Sequence, residues 1–132
     1  VLITTLDNKE MRWQMKRGRS KKSSSLHLKA YDLVRKIYPS EALIEEITIP
    51  LTGIKKVYGD IFITRINKLI EVHGEQHYKY ISFFYTSKAD FLRAQKRDRD
   101  KEEWCDINGI EYVELPFNKI DEWEDRINGN RF

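Results

Sequence analysis

The sequence predicts an α/β domain in which a mixed four-stranded sheet is flanked by helices, in the order α-β-β-β-α-β with a closing α. Three observations predict it. Two segments, 24–37 and 88–107, carry apolar residues at helical spacing between a serine and a stop signal. Four short runs rich in Ile, Val and Leu are bounded by turn residues, as strands are. Three of these runs follow one another through tight turns, whereas the fourth follows the long helix, so helices and sheet must pack as layers.

Taken in order, Ser24 or Ser25 caps a helix that reaches Ile37, with Leu26, Ala30, Leu33, Val34 and Ile37 on one face. Tyr38-Pro39-Ser40 stops it, because a proline disfavours helix in the residue before it. Strands follow at Leu43–Ile49, Tyr58–Thr64 and Lys68–His73, joined by turns at Gly53 and at Arg65-Ile66-Asn67. Gly74 to Ser87 is a loop. At least half of its aromatics Tyr78, Tyr80, Phe83, Phe84 and Tyr85 are expected in the core, and the others are placed to stack on unpaired bases. Ser87 caps a helix over Lys88–Ile107, which Asn108-Gly109 ends. Ile110–Leu115 is the fourth strand, and a last helix over Ile120–Ile127 lays Trp123 and Ile127 on the sheet. Residues 24–132 thus form one domain. Residues 1–23 read as a basic N-terminal arm, either a disordered tail or a segment that contacts phosphate.

A chain of 132 residues with 40% hydrophobic side chains suits one core and excludes global disorder. Net charge is only +3, but it is concentrated. Residues 9–22 hold seven Lys or Arg against one acid, and residues 88–101 hold six against three. Local density of this kind matters more to a phosphate partner than the total does. Lys16, Arg17, Arg19, Lys21 and Lys22 in the first cluster, with Arg93, Lys96 and Arg97 in the second, are the expected nucleic-acid contacts. Cys105 is the only cysteine, which excludes an internal disulfide and a cysteine-rich zinc site. No apolar run has the length of a membrane span. The opening VLITTLDNKE lacks the pattern of a signal peptide, and a start at Val is expected of a piece of a longer chain. A soluble, intracellular protein with no membrane partner is the expectation.

The chemistry concentrates in YGDIFITRINKLIEVHGEQHY, residues 58–78. Asp60 lies in the second strand and Glu71 in the third, so a short turn can bring them side by side. Alternation points Glu71 and His73 to one face and Ile70 and Val72 to the other. Two carboxylates on adjacent strands make a hard oxygen site that suits Mg²⁺ or Mn²⁺ beside a phosphate. His73 and His77 stand at the same strand end, and histidine titrates near the working pH, so either can serve as the base. On the long helix, Phe91, Ala94, Asp98, Lys101 and Cys105 share a face, so Asp98 and Lys101 should point inward near Glu71. Blander readings stand beside these: Asp60 as a turn residue next to Gly59, the histidines as structural, and Asp98 with Lys101 as a surface ion pair.

An Asp, a gap of ten residues and then Glu-x-His resembles the core of the PD-(D/E)XK nuclease superfamily. IEVHGEQHY, followed by RDRDKEEWCDINGIEYVELPF, resembles its Vsr-like branch of very-short-patch repair and phage homing endonucleases. The resemblance covers roughly residues 24–117 and implies a restriction-endonuclease-like αβββαβ core. It implies that Asp60, Glu71 and the Val72 carbonyl hold the metal, that His73 replaces the motif lysine, and that His77 matches the later histidine. Lys101 would then stand in for the missing lysine. His27 lies near the place where many relatives carry a helix glutamate, and it is read as structural. The repair enzymes' structural zinc has no ligands here. The expected function is metal-dependent hydrolysis of DNA phosphodiester bonds, with a homodimer needed to cut both strands. A non-catalytic nucleic-acid-binding module and an RNA-directed nuclease are the alternatives. Asp60→Ala is expected to abolish cutting while leaving folding and DNA binding largely intact.

Overall fold

Strand alternation gives the central sheet two apolar faces, and each face recruits its own helices. The computed structural model describes residues 1–129. Its elements are β1 (Leu2–Thr4), β2 (Glu10–Arg12), α1 (Ser25–Ile37), β3 (Leu43–Pro50), β4 (Lys56–Ile63), β5 (Lys68–His73), α2 (Lys88–Ile107), β6 (Glu111–Pro116) and α3 (Trp123–Ile127). Single 3₁₀ turns cover Glu75–His77 and Ile120–Glu122. Strands β3-β4-β5-β6 form one sheet in that order. The first two pairings are antiparallel and β5–β6 is parallel, as a return through the long α2 connection requires. The α/β class and the mixed four-stranded sheet match expectation. The last expected helix divides into a 3₁₀ turn and the five-residue α3. Residues 130–132 of the expected domain lie outside the described residues. No helix among the described residues is long and apolar enough to cross a membrane.

Serine caps open both long helices. The Ser24 hydroxyl accepts from the His27 N–H and the Ser87 hydroxyl accepts from the Asp90 N–H, each satisfying a donor that the helix cannot. On one face of the sheet, Ala30 and Val34 of α1 and Trp123 and Ile127 of α3 pack on Ile61, Ile63, Ile70, Val72, Val113 and Leu115. On the other face, Trp104 and Cys105 of α2 pack with Phe62, Leu69, Ile47 and Ile49.

The N-terminal segment is not the separate arm that its charge predicted. β1 and β2 form a hairpin, and Ile3 and Trp13 are buried in the α2-side core. The Trp13 ring meets Trp104 and Phe62 edge-on, each at 5.1 Å, and its Nε1–H donates to the Thr48 carbonyl at 2.8 Å. The basic end then runs along β3: Arg17 bridges Ile47, the Gly18 N–H donates to the Glu46 carbonyl at 2.7 Å, and the Arg19 guanidinium covers the Tyr58 ring. A side chain at Gly18 would strike Thr48 and Tyr58, so only glycine lets the segment lie this close. Trp13→Ala is expected to cost about 3–5 kcal/mol, the usual effect of emptying a buried aromatic site. Urea denaturation measures it, and an unchanged midpoint would restore the tail reading.

Candidate active site

The sheet opens along one line across three strands. The β3–β4 ladder skips Glu46 opposite Asp60, and the β4–β5 ladder stops at Ile61 opposite Ile70. Main-chain donors released there need other acceptors. Carboxylates provide them: the Asp60 N–H donates to Glu71 Oε2 and the Val72 N–H donates to Asp60 Oδ2, both at 2.7 Å. Each acid therefore ties its own strand to the next where the ladder fails, and both are buried. Glu71 and His73 face α2, while Ile70 and Val72 lie in the opposite cluster, as alternation predicts.

Lys101 reaches inward from α2. Its ammonium contacts Glu71 Oε1 and donates to the Tyr58 carbonyl at 2.7 Å. The environment drives the two acids apart in pKa. Burial pushes Glu71 up to about 7, with Lys101 pulling against it and the Asp60 charge adding to it. Burial also works against ionised Asp60, but the His27 ring, the Lys22 ammonium and the Val72 N–H outweigh it and hold the carboxyl well below its ordinary range. Lys22 Nζ lies 3.3 Å and His27 Nε2 3.5 Å from Asp60 Oδ1.

The histidines divide by environment. His77 is half-buried, and its Nδ1 meets Asp98 Oδ2 at 2.9 Å. His73 is buried and lies flat against the His77 ring, centroids 4.1 Å apart and planes 7° from parallel. Burial, and then the neighbouring His77, push the His73 pKa down to about 4, so its ring stays neutral near pH 7. Nitrogen and oxygen atoms of His73, His77 and Asp98 lie within 4.8 Å of one another, close enough in distance for a cation. Parallel rings, however, send their lone pairs side by side instead of converging them on one point. The arrangement suits a hydrogen-bonded base and its orienting carboxylate better than a shared ion.

Lys22, His77, Asp98 and Lys101 line a cleft of about 440 Å³ between the basic segment and α2, together with Arg19, Lys56 and Arg97, while Asp60 borders the small hollow beside His27 instead. The expected phosphate contacts are thereby sorted. Arg19, Lys22 and Arg97 line the cleft. Arg93 and Lys96 instead pair with Asp90 and Asp100 along their own helix, and Lys21 pairs with Glu45. Lys16 lines a different hollow beside Trp13, and Arg17 is used through its backbone against β3. Lys56 also lines the cleft, although the short Lys55-Lys56 pair lies outside both basic runs of the sequence. None of the loop aromatics is fully buried: Phe83 is 87% exposed, and Phe84 and Tyr78 are also exposed. The core expectation for that loop fails because the 3₁₀ turn at Glu75–His77 and the loop after it lie outside both apolar clusters.

Two further residues meet at Asp60, neither of them among the candidate ligands the sequence suggests. His27, expected to be structural, turns its Nε2 toward Asp60 while its Nδ1 contacts the capping Ser24 hydroxyl at 2.6 Å. Glu46 is buried against the same place. Its signal was present in ALIEEITIP, since glutamate is as unusual in an Ile-rich strand there as it is at Glu71.

No family model matches the chain, and no solved structure matches it. Similar sequences occur in viruses. Uncharacterized protein 033L of Invertebrate iridescent virus 3 is 34% identical over 68 residues, 52% of this chain and 34% of that protein. Uncharacterized protein 307L of Invertebrate iridescent virus 6 is 32% identical over 62 residues, 47% of this chain and 32% of that protein. Uncharacterized protein 094L of Frog virus 3 (isolate Goorha) is 34% identical over 76 residues, 57% of this chain and 48% of that protein. These matches span about a third to a half of the length of the curated relatives.

Proposed function

We propose that this chain is a metal-dependent endonuclease that hydrolyses phosphodiester bonds in DNA, built on a restriction-endonuclease-like core of the PD-(D/E)XK kind. The observation that carries the reading is the interlocked buried pair Asp60 and Glu71, whose cationic neighbours Lys22 and Lys101 both line a basic cleft. Ordinary sheets do not bury two carboxylates side by side, because the desolvation is costly without a cationic partner. The donor set fits a hard divalent ion: Lys22 already places a positive charge against Asp60 Oδ1. Asp60, Glu71 and the Val72 carbonyl would hold Mg²⁺ or Mn²⁺, which would polarise the phosphate and lower the pKa of a bound water.

The chain's own residues carry the remaining roles. His77 is the base, since it borders the basic cleft, whereas His73 is buried and faces a separate hollow with Tyr112 and Glu114. Asp98 holds the His77 Nδ1–H and so leaves Nε2 free to accept a proton. His73 packs the far face of that ring and fixes its plane. Lys101 meets negative charge growing on the phosphate, and Arg19, Lys22 and Arg97 position the backbone without reading sequence. His77→Ala is expected to lower kcat about 10²–10⁴-fold, the range for a lost general base. Asp98→Asn is expected to lower kcat less and to move the acid limb of the pH–rate profile. A profile unmoved in Asp98→Asn would remove its orienting role.

The deciding experiment is cleavage of supercoiled plasmid, with and without Mg²⁺ or Mn²⁺, by this chain and by Glu71→Gln. Metal-dependent nicking or linearisation that is lost in the variant is the expected result. A parallel RNA substrate separates DNA from RNA. One observation favours a second reading: lysine ammoniums already sit against both buried acids. A non-catalytic binding module would show salt-dependent DNA binding and no cleavage at any metal concentration.

A further inference from the structure

Glu46 stands out among the buried groups that the proposed reaction does not use. It is 1% exposed, lies in the middle of β3, and takes a φ of +53°, which a side chain other than glycine seldom adopts. The side-chain alternation of β3 resets there: Ile44 on one side of it and Ile47 and Ile49 on the other all pack in the α2-side cluster. Its Oε1 is reached by Arg19 at 3.1 Å and Lys22 at 3.7 Å, but its Oε2 is buried with no hydrogen-bond partner. His27 Nε2, facing the same place, is likewise buried and lacks a hydrogen bond. Between them lies a cavity of about 10 Å³ lined by Lys22, His27, Glu45, Glu46, Asp60 and Ile61. That is room for one ion or one water.

We infer that Glu46, Asp60 and His27 form a cation site on the α1 side of Asp60, and that Lys22 is a tethered ammonium that fills it until a divalent ion displaces it. The inference deepens the nuclease reading and rests on it only in taking Asp60 as a ligand. Two carboxylates with an imidazole favour Mn²⁺, which accepts nitrogen as well as oxygen, over Mg²⁺. Lys22 is built to leave. Its contacts of 3.3 and 3.7 Å are longer than a good charge-assisted hydrogen bond, and its side chain is 41% exposed. The chain on either side of it is anchored, by the Gly18–Glu46 hydrogen bond before it and the Ser24 cap after it. The ammonium can therefore swing out on its flexible stem without disturbing the segment. Because Lys22 also lines the basic cleft, its release would place a cation where the phosphate is expected.

Direct Mn²⁺ titration of the full chain without nucleic acid, followed by electron paramagnetic resonance of the free ion, tests this apart from cleavage. Lys22→Met is expected to tighten Mn²⁺ binding about threefold or more, because the competing ammonium is gone. Glu46→Gln and His27→Asn are each expected to weaken it by about tenfold or more, the lower end of what losing even an outer-shell partner of a metal ligand costs. The exposed Lys22 site and the half-buried His27 site keep the test decisive if Glu46→Gln does not fold. Affinity that is unchanged or weaker in Lys22→Met, or unchanged in His27→Asn, overturns the inference. Absence of Mn²⁺ binding by the parent chain overturns it as well. Mn²⁺ binding that shifts as expected in a chain that cuts no DNA would leave this site standing and remove the nuclease reading alone.

Discussion

Asp60→Asn is expected to lower metal-dependent cleavage by about 10²–10³-fold or more, because a neutral amide holds a cation poorly and stabilises less of the developing charge. Asparagine is the informative replacement. Asp60 Oδ2 accepts the buried Val72 N–H, and an amide oxygen can still do so. Asp60→Ala removes that acceptor and strands a main-chain donor, at a cost of about 1–3 kcal/mol. The expectation that Asp60→Ala leaves folding intact is therefore revised: it should lose both activity and stability, and Asp60→Asn mainly activity. Plasmid cleavage together with thermal denaturation of both variants separates the two effects. Wild-type cleavage by a folded Asp60→Asn would remove Asp60 from the site.

Lys101→Met should lose about 3–5 kcal/mol of stability at neutral pH, because it leaves the buried Glu71 without its cationic partner. The loss should depend on pH in a defined direction. Glu71 is raised in the folded state from 4.5 to about 7, so its contribution to stability is complete below pH 4.5 and is lost as pH rises through about 7. Lys101 is what limits that loss, and its own pKa is raised, against burial, by the Glu71 charge. Removing it pushes Glu71 higher still. The gap in Tm between the parent and Lys101→Met should thus be smaller at pH 5, where Glu71 is protonated in both, and widen toward pH 8. Lys101→Met/Glu71→Leu should recover most of the loss, since no unpaired charge remains buried. Equal gaps at pH 5 and pH 8 would show that the two residues are not electrostatically coupled.

The β-strand at 68–73 and the helix at 88–107 were legible residue for residue, because each is bounded by strong local signals and its periodicity is uninterrupted. The facing of Glu71 and His73 away from Ile70 and Val72 followed from alternation alone. Local rules failed where the chain breaks them. Glu46 and its partner Asp60 fall where the ladder between their strands skips a pair, and no local pattern announces that. Charge misled in the N-terminal segment: its lysines and arginines read as an arm, while Ile3 and Trp13, with Leu6 and Met15 beside them, dock it into the core. The preference between His73 and His77 was equally closed to sequence, because burial and the Asp98 contact depend on how α2 lies across the sheet.

By itself the sequence determined the α/β class, the element order from residue 24 onward, and a strand whose polar face carries Glu71 and His73, since these follow from periods of 2 and 3.6 residues and from capping. Only the tertiary structure decided which charges meet. Asp60 with Glu71, Lys101 with Glu71, and Lys22 with Asp60 and Glu46 are separated by 11 to 38 residues, and their energies depend on distance and burial in the folded sheet.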